Sequence, residues 1–134
     1  MADEELDSFL REQRVLRLAT IDDDGWPAVV PVWFWWDGET IWVYNLDRAK
    51  RTPRLEAGTK VAFVVDAGVE YGDLRGATGR LDHAFLDEDE VPDEVRQGIG
   101  DKYLGGHAMP RQDDHTWLRL TPRGDVNTWD FRKL

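Results

Sequence analysis

The chain has 134 residues, enough for one domain with a real core and too few for two. Its 41% apolar content excludes a disordered chain, and the absence of cysteine excludes disulfides and thiolate metal sites. Twenty-seven acidic against 17 basic residues give a net charge of −10, a surface that repels nucleic acid and anionic membranes.

The start, Met1-Ala2-Asp3-Glu4-Glu5, lacks the basic and apolar regions of a signal peptide, and no apolar run reaches the ~20 residues that cross a bilayer. Both point to a cytoplasmic protein. Asp3 to Arg11 fits a short amphipathic helix, with Leu6, Phe9 and Leu10 at helical spacing and acids in the first turn; its expected place is over one end of a barrel. Val15 to Ile21 reads as a strand, ended by the solvated turn Asp22-Asp23-Asp24-Gly25. Trp26 to Trp36 reads as a second strand, joined through Asp37-Gly38-Glu39 to a third over Thr40 to Asn45. Asp-Gly between Val-, Ile- and Trp-rich runs is a hairpin signal, since Gly tolerates the positive φ of a tight turn. The second strand is apolar on both faces. Ala28, Val30, Val32 and Phe34 lie on one, and Val29, Pro31, Trp33 and Trp35 on the other, so a partner subunit or a flat ligand is expected to cover the second face.

A basic cluster follows: Arg48, Lys50, Arg51 and Arg54 in an otherwise acidic protein. Asp47 is expected to cap a helix there, with Pro53 disturbing it and Gly58 closing it. The cluster is either an anion cradle or a solvated helix pairing with surface acids. Lys60 to Asp66 and Glu70 to His83 read as strands. The three glycines of the latter mark a bulge, a barrel corner or a close approach. Leu86 to Tyr103 is helical, with Asp87 and Glu90 as a capping box and Val91, Val95, Ile99 and Tyr103 along one face; Lys102 reads as remote from any site. His107 to His115 reads as a mobile loop. Trp117 to Leu120 and Val126 to Phe131 read as strands on either side of a turn at Pro122-Arg123-Gly124. Many strands, few helices and no βαβ rhythm predict an antiparallel barrel with helices on its ends.

Side-chain catalysts are scarce. Ser8 has no Gly-x-Ser-x-Gly context, and His83, His107 and His115 lie far apart in sequence, so no metal site is expected. The Rossmann and Walker glycine motifs are absent. Seven tryptophans beside a phosphate-sized basic cluster fit a protein whose reactive atoms belong to a bound cofactor, although at least four of the seven are expected in the core.

Gly25-Trp26-Pro27-Ala28-Val29-Val30-Pro31-Val32-Trp33-Phe34 followed by Arg48-Ala49-Lys50 resembles the pyridoxamine 5′-phosphate oxidase-like superfamily of flavin and deazaflavin proteins. The likeness continues more loosely through Val61 to Val65, Arg75-Gly76 and Trp129-Asp130-Phe131. It implies a mainly β fold: one antiparallel split β-barrel of six to seven strands with flanking helices, spanning residues 1–134. It implies FMN or the deazaflavin F420 bound across a homodimer interface, and an oxidoreductase passing hydride to or from a small organic substrate. The alternative is a binder without turnover, a cofactor store or sensor. By resemblance Val30, Pro31, Val32, Trp33 and Phe34 run along the ring, and Tyr44, Asn45, Arg48 and Lys50 hold the phosphate, with Arg51 and Thr52 beside them. Trp129 reaches the partner's cofactor, and Arg75 is a further candidate. The substrate-binding Arg/His ending of true pyridoxamine phosphate oxidases is missing, which argues against vitamin B6 synthesis, and Pro53 departs from the family's phosphate segment.

The acids are mostly Asp, and lysine is confined to Lys50, Lys60, Lys102 and Lys133, a composition that suits high salt as well as an ordinary acidic cytosol. Molar salt shortens the Debye length to about 3 Å and screens the self-repulsion. Thermal midpoints measured from low to molar KCl should therefore rise; a flat or falling trend removes both the high-salt reading and the charge argument.

Overall fold

Two residues decide the shape of the sheet. In the computed structural model, which describes residues 1–133, seven strands run β1 (Leu16–Ile21), β2 (Pro27–Val32), β3 (Trp35–Trp36), β4 (Ile41–Leu46), β5 (Val61–Ala67), β6 (Arg75–Leu86) and β7 (His115–Asp130). All pairings are antiparallel, in the order β2-β1-β5-β6-β7-β4-β3. Laid flat, six spacings of ~4.8 Å would hold the two edges ~29 Å apart. Only Trp33 and Phe34 separate the edge strands β2 and β3, and three Cα steps reach at most ~11 Å. The sheet has to curl until its edges nearly meet, which makes a split barrel.

Alternation sorts each strand between the inside and outside of that curl. Leu16 and Leu18 of β1, Val61, Phe63 and Val65 of β5, and Leu118 and Leu120 of β7 point inward with Ile41, Val43 and Phe34. The first helix, α1 (Asp3–Glu12), closes this core with Phe9 and Leu10. A second core lies outside the barrel, where the long helix α3 (Asp93–Tyr103) lays Val95 and Ile99 on Trp42 and Trp117. Gly98 lets it come close: a Cβ there would meet the Trp35 ring at 2.3 Å. Trp36, Trp42 and Trp117 are buried and Trp35 packs on the second core, which fills the expected four structural tryptophans. The outer face of β2 has no such cover among the described residues. Val29 is 59% exposed, Trp33 49% and the neighbouring Trp26 70%.

Several local expectations change. The Trp26 to Trp36 run is two strands on opposite edges, because closure breaks it at Trp33-Phe34. Asp47 does not cap α2 (Arg51–Glu56); its carboxylate accepts from the Thr116 hydroxyl at 2.7 Å. Pro53 sits in the first turn of α2, where backbone N–H groups have no helical partner to lose. β6 starts at Arg75, after a 3-10 turn at Tyr71–Asp73, and runs on to Leu86. The capping box of Asp87 and Glu90 forms, but on a 3-10 turn (Glu88–Glu90), and α3 begins only after Pro92. The two C-terminal strands are one, β7, whose expected kink survives as a register shift opposite Thr78 and Arg80 beside Gly124 at φ 80°. Gly76 marks a close approach within the chain, since a Cβ there would lie 2.5 Å from the Trp129 ring. The loop read as mobile is tied down: Met109 N–H donates to Arg96 O at 3.0 Å and Gln112 N–H to the Tyr44 hydroxyl at 2.8 Å.

Lys102 is not remote. Its Nζ donates to Phe34 O at 3.3 Å and Leu10 O at 3.2 Å and sits 3.7 Å from the Phe34 ring centroid, so it joins α3, α1 and the link that closes the barrel. Burial, helped by the nearby Arg14 guanidinium, pulls its pKa down from 10.5 to about 7. The unfolded chain keeps that proton up to the ordinary value. Between pH about 7 and about 10 the unfolded state thus binds more protons, and stability should rise with pH. Urea unfolding across this range should show the rise in the parent and a flatter profile in Lys102→Met. Parallel profiles would mean that Lys102 titrates normally in the folded state.

Candidate active site

A cleft of about 320 Å³ opens where the barrel closes. Pro31, Val32 and Trp33 at the end of β2 form one wall, Val43 and Tyr44 of β4 the floor, and Arg51 of α2, Ile99 of α3, Met109 and His115 the remainder. That volume lies at the small end for ligand pockets, and the cleft borders the uncovered face of β2.

Each wall is fixed from behind. The Trp33 ring stacks on Tyr103, centroids 4.3 Å apart and planes 9° apart. Tyr103 in turn donates its hydroxyl proton to Arg14 O at 2.7 Å and accepts from Phe34 N–H at 3.1 Å; burial pushes its pKa up to about 12. Tyr44 is held more tightly still. Its ring stacks on Trp117 at 4.4 Å and on His115 at 4.9 Å. Its hydroxyl donates to Glu88 Oε1 at 2.6 Å and accepts from Gln112 N–H. Burial first, and then the Glu88 carboxylate, raise the Tyr44 pKa to about 12. Glu88 also accepts from Arg96 Nη2 at 3.0 Å and Trp117 Nε1 at 3.2 Å. Burial pushes its pKa up, but these donors and the Tyr44 hydroxyl more than reverse that, and the net shift is downward.

The cation of the cleft is Arg51. Asn45, fully buried, accepts from Arg51 Nε at 2.8 Å and donates through Nδ2 to the Thr52 hydroxyl at 2.9 Å, which donates on to Leu46 O at 3.0 Å. Among the described residues no carboxylate lies within ion-pair distance of Arg51, and burial lowers its pKa. It stays protonated all the same, as arginine does in proteins. Its Nε is taken by Asn45, and among the described residues its two terminal nitrogens have no hydrogen-bond partner.

The expected site residues divide. Pro31, Val32, Trp33, Tyr44 and Arg51 line the cleft, and Asn45 and Thr52 hold Arg51 from behind. Arg48 lies at the rim, paired with Asp114 at 3.8 Å. Val30 points into the barrel core, and Phe34 is fully buried there with its backbone taken by Tyr103 and Lys102. Lys50 faces the other way, lining a separate groove with Arg54 and the acidic turn Asp22, Asp23 and Asp24. Trp129 packs over Gly76 and Arg75 over the Phe9 ring, both outside the cleft. Val43, Ile99, Met109 and His115 were missing from the expectation. The pairing of Leu46 with His115 and of Tyr44 with Trp117 brings His115 to the cleft. Only the 117/119 alternation extended two residues back could have hinted at it. Among the described residues no group of His, Asp and Glu could hold a metal, and no helix is long and apolar enough to cross a membrane.

No curated protein matches this sequence. Among solved structures, the chain is similar to a conserved hypothetical protein from Mycobacterium tuberculosis at 26% identity, covering 99% of this chain and 87% of that one, with a TM-score of 0.82. HutZ, the heme storage protein from Vibrio cholerae, is 21% identical over 92% of each chain, TM-score 0.76. An F420 reductase is 22% identical over 88% of this chain and 93% of that one, TM-score 0.66. At the last two identities the likeness is one of fold. The family model described as pyridoxamine 5′-phosphate oxidase matches residues 2–129, and with the closed seven-stranded sheet it establishes that the chain belongs to the pyridoxamine 5′-phosphate oxidase family.

Proposed function

We propose that this protein binds FMN or F420 in the Trp33–Tyr44–Arg51 cleft, at the interface of a homodimer, and works as an oxidoreductase on a small organic substrate. The observation that carries the reading is Arg51. A cation kept half-buried without a carboxylate, in a chain of net charge −10, makes sense once an anion occupies the cleft. The residues fit such a cofactor. Arg51 would take the phosphate in charge-assisted hydrogen bonds, with Arg48 nearby at the rim. Trp33, locked on Tyr103, would offer its exposed face to a planar ring, and the stacked Tyr44–His115 pair would close the floor beneath it and keep water from it. The cofactor supplies hydride chemistry when bound, and the protein supplies position and shielding. The dimer is supported by Val29, Pro31 and Trp33, an apolar edge beside the cleft that symmetric pairing would cover.

A second reading keeps the cofactor and drops the turnover, making the protein a cofactor store. The heme storage protein among its structural relatives supports that class of role on the same fold.

Titration with FMN and with F420, followed by absorbance, tests the shared part; if neither binds, both readings fall. A hydrogen bond to a charged group contributes about 1.5–3 kcal/mol, so Arg51→Ala should weaken binding roughly tenfold to a hundredfold. Lys50→Ala should cost less, because its ammonium faces the acidic turn. Equal losses would place the phosphate between the two side chains, and a larger loss in Lys50→Ala would return it to the Arg48–Lys50 loop that the resemblance implies. Oxidation of the reduced cofactor by a quinone or an enone separates enzyme from store. Light scattering should give a dimer at micromolar concentration, and Val29→Lys should yield monomers. A parent that runs as a monomer in a salt that keeps it folded removes the interface.

A further inference from the structure

Hydride delivered to an organic acceptor leaves negative charge on it, so the cleft needs a group that gives up a proton. Of its lining residues only Tyr44, Arg51 and His115 titrate. Tyr44 is unsuited: its proton is held by Glu88, its lone pair accepts from Gln112, and its pKa is raised to about 12. Arg51 does not give up its proton at all. His115 remains.

Its surroundings fit the role. His115 is the first residue of β7, and its ring lies against Tyr44 with its side chain largely buried. Nδ1 is 2.7 Å from Asp114 Oδ1. The His115 hydrogen bond holds the Asp114 carboxyl below the usual carboxylate range. An ionised carboxylate can only accept, so Nδ1 carries the hydrogen and Nε2 is where a proton comes and goes. The charged groups around the ring are Asp114 with Arg48 behind it, Arg51 in the same cleft and Glu88 behind Tyr44. Asp87, Asp89, Arg111 and Asp113 edge the neighbouring hollow.

We propose that His115 is the catalytic proton donor and acceptor of this cleft, with Asp114 as the residue that positions it. The inference rests on the oxidoreductase reading. In the direction of substrate reduction, the hydride carries two electrons from the reduced cofactor to an electrophilic carbon of an unsaturated acceptor. The Nε2–H bond breaks, its proton neutralises the anion formed there, and the neutral imidazole regains a proton from water. In the reverse direction the neutral ring accepts the substrate's proton.

The midpoint potential of bound FMN, or of bound F420 if FMN does not bind, measured from pH 5 to pH 9, tests this without a substrate. A group that protonates in step with cofactor reduction bends the plot of potential against pH, and imidazole is the side chain that ordinarily changes charge in this range. The reduced cofactor itself loses a proton in this range and bends every plot, so the assignment is read from the difference between proteins: the parent should show a second bend, His115→Asn should lose that second bend, and His107→Asn, on the exposed loop, should keep it. Asp114→Asn keeps the ring but removes the carboxylate that positions it, so it should shift or weaken the second bend, and it serves alone if His115→Asn does not fold. A parent plot without a second bend, or a second bend that survives in His115→Asn or is unchanged in Asp114→Asn, overturns the assignment while leaving cofactor binding intact. Failure of both cofactors to bind overturns it together with the reading it rests on.

Discussion

The two-residue link Trp33-Phe34 is the constraint on which the rest depends. Because it joins the outermost strands, consecutive side chains must leave the chain on opposite sides at the point of closure. Phe34 goes inward and is sealed into the barrel by Lys102 and α1, while Trp33 goes outward and stacks on Tyr103. Closing the barrel and building the cleft are therefore one event. Anything that loosens Phe34 also loosens the aromatic wall next to it.

The opposite wall is rigid for a different reason. Apart from Lys102, which reaches Phe34, α3 covers the outside of β4 and β7 with its own apolar cluster. That leaves Tyr44 between a hydrophobic layer and a buried carboxylate. Glu88 gathers the Tyr44 hydroxyl, the Trp117 indole and the Arg96 guanidinium, and no buried side-chain nitrogen or oxygen among the described residues lacks a partner. A fully satisfied polar cluster of this kind specifies one geometry, since any rearrangement strands a buried charge. The ring of Tyr44, stacked on both Trp117 and His115, is thus a fixed part of the floor, and its hydroxyl is not available for chemistry.

Charge is distributed in keeping with this. Arg17, Arg48, Arg96, Arg123, Arg132 and Lys133 are matched by acids within ion-pair distance. Lys50 and Arg54 share a groove with three aspartates, which lowers the positive potential there. Arg51, like Lys102, is half-buried with no acid within ion-pair distance among the described residues, and its hydrogen bond goes to the neutral Asn45. In a low-dielectric cleft an uncancelled guanidinium exerts more than its counterparts on the surface, where water and salt screen them.

Much of this was readable in the order of residues. Length, apolar periodicity, the Asp37-Gly38 turn and the capping box of Asp87 and Glu90 are local, and local rules placed six of the seven strands near their positions and called for an antiparallel barrel. The Gly25 to Phe34 motif carried the family. What sequence alone could not decide was set by contacts between distant residues. Whether Trp26 to Trp36 is one strand or two depends on which edges it must join. Whether a basic residue faces a cleft or an acidic turn depends on the rotation of α2, fixed by Asn45 and Thr52, and this separated Arg51 from Lys50. Phe34 and Lys102 look like a site residue and a bystander until closure makes them one core contact. His115 entered the cleft only through the pairing of β4 with β7. Local propensity sets what each segment forms; which side chains share a space is a property of the closed sheet, and proximity across it leaves no mark on sequence neighbours.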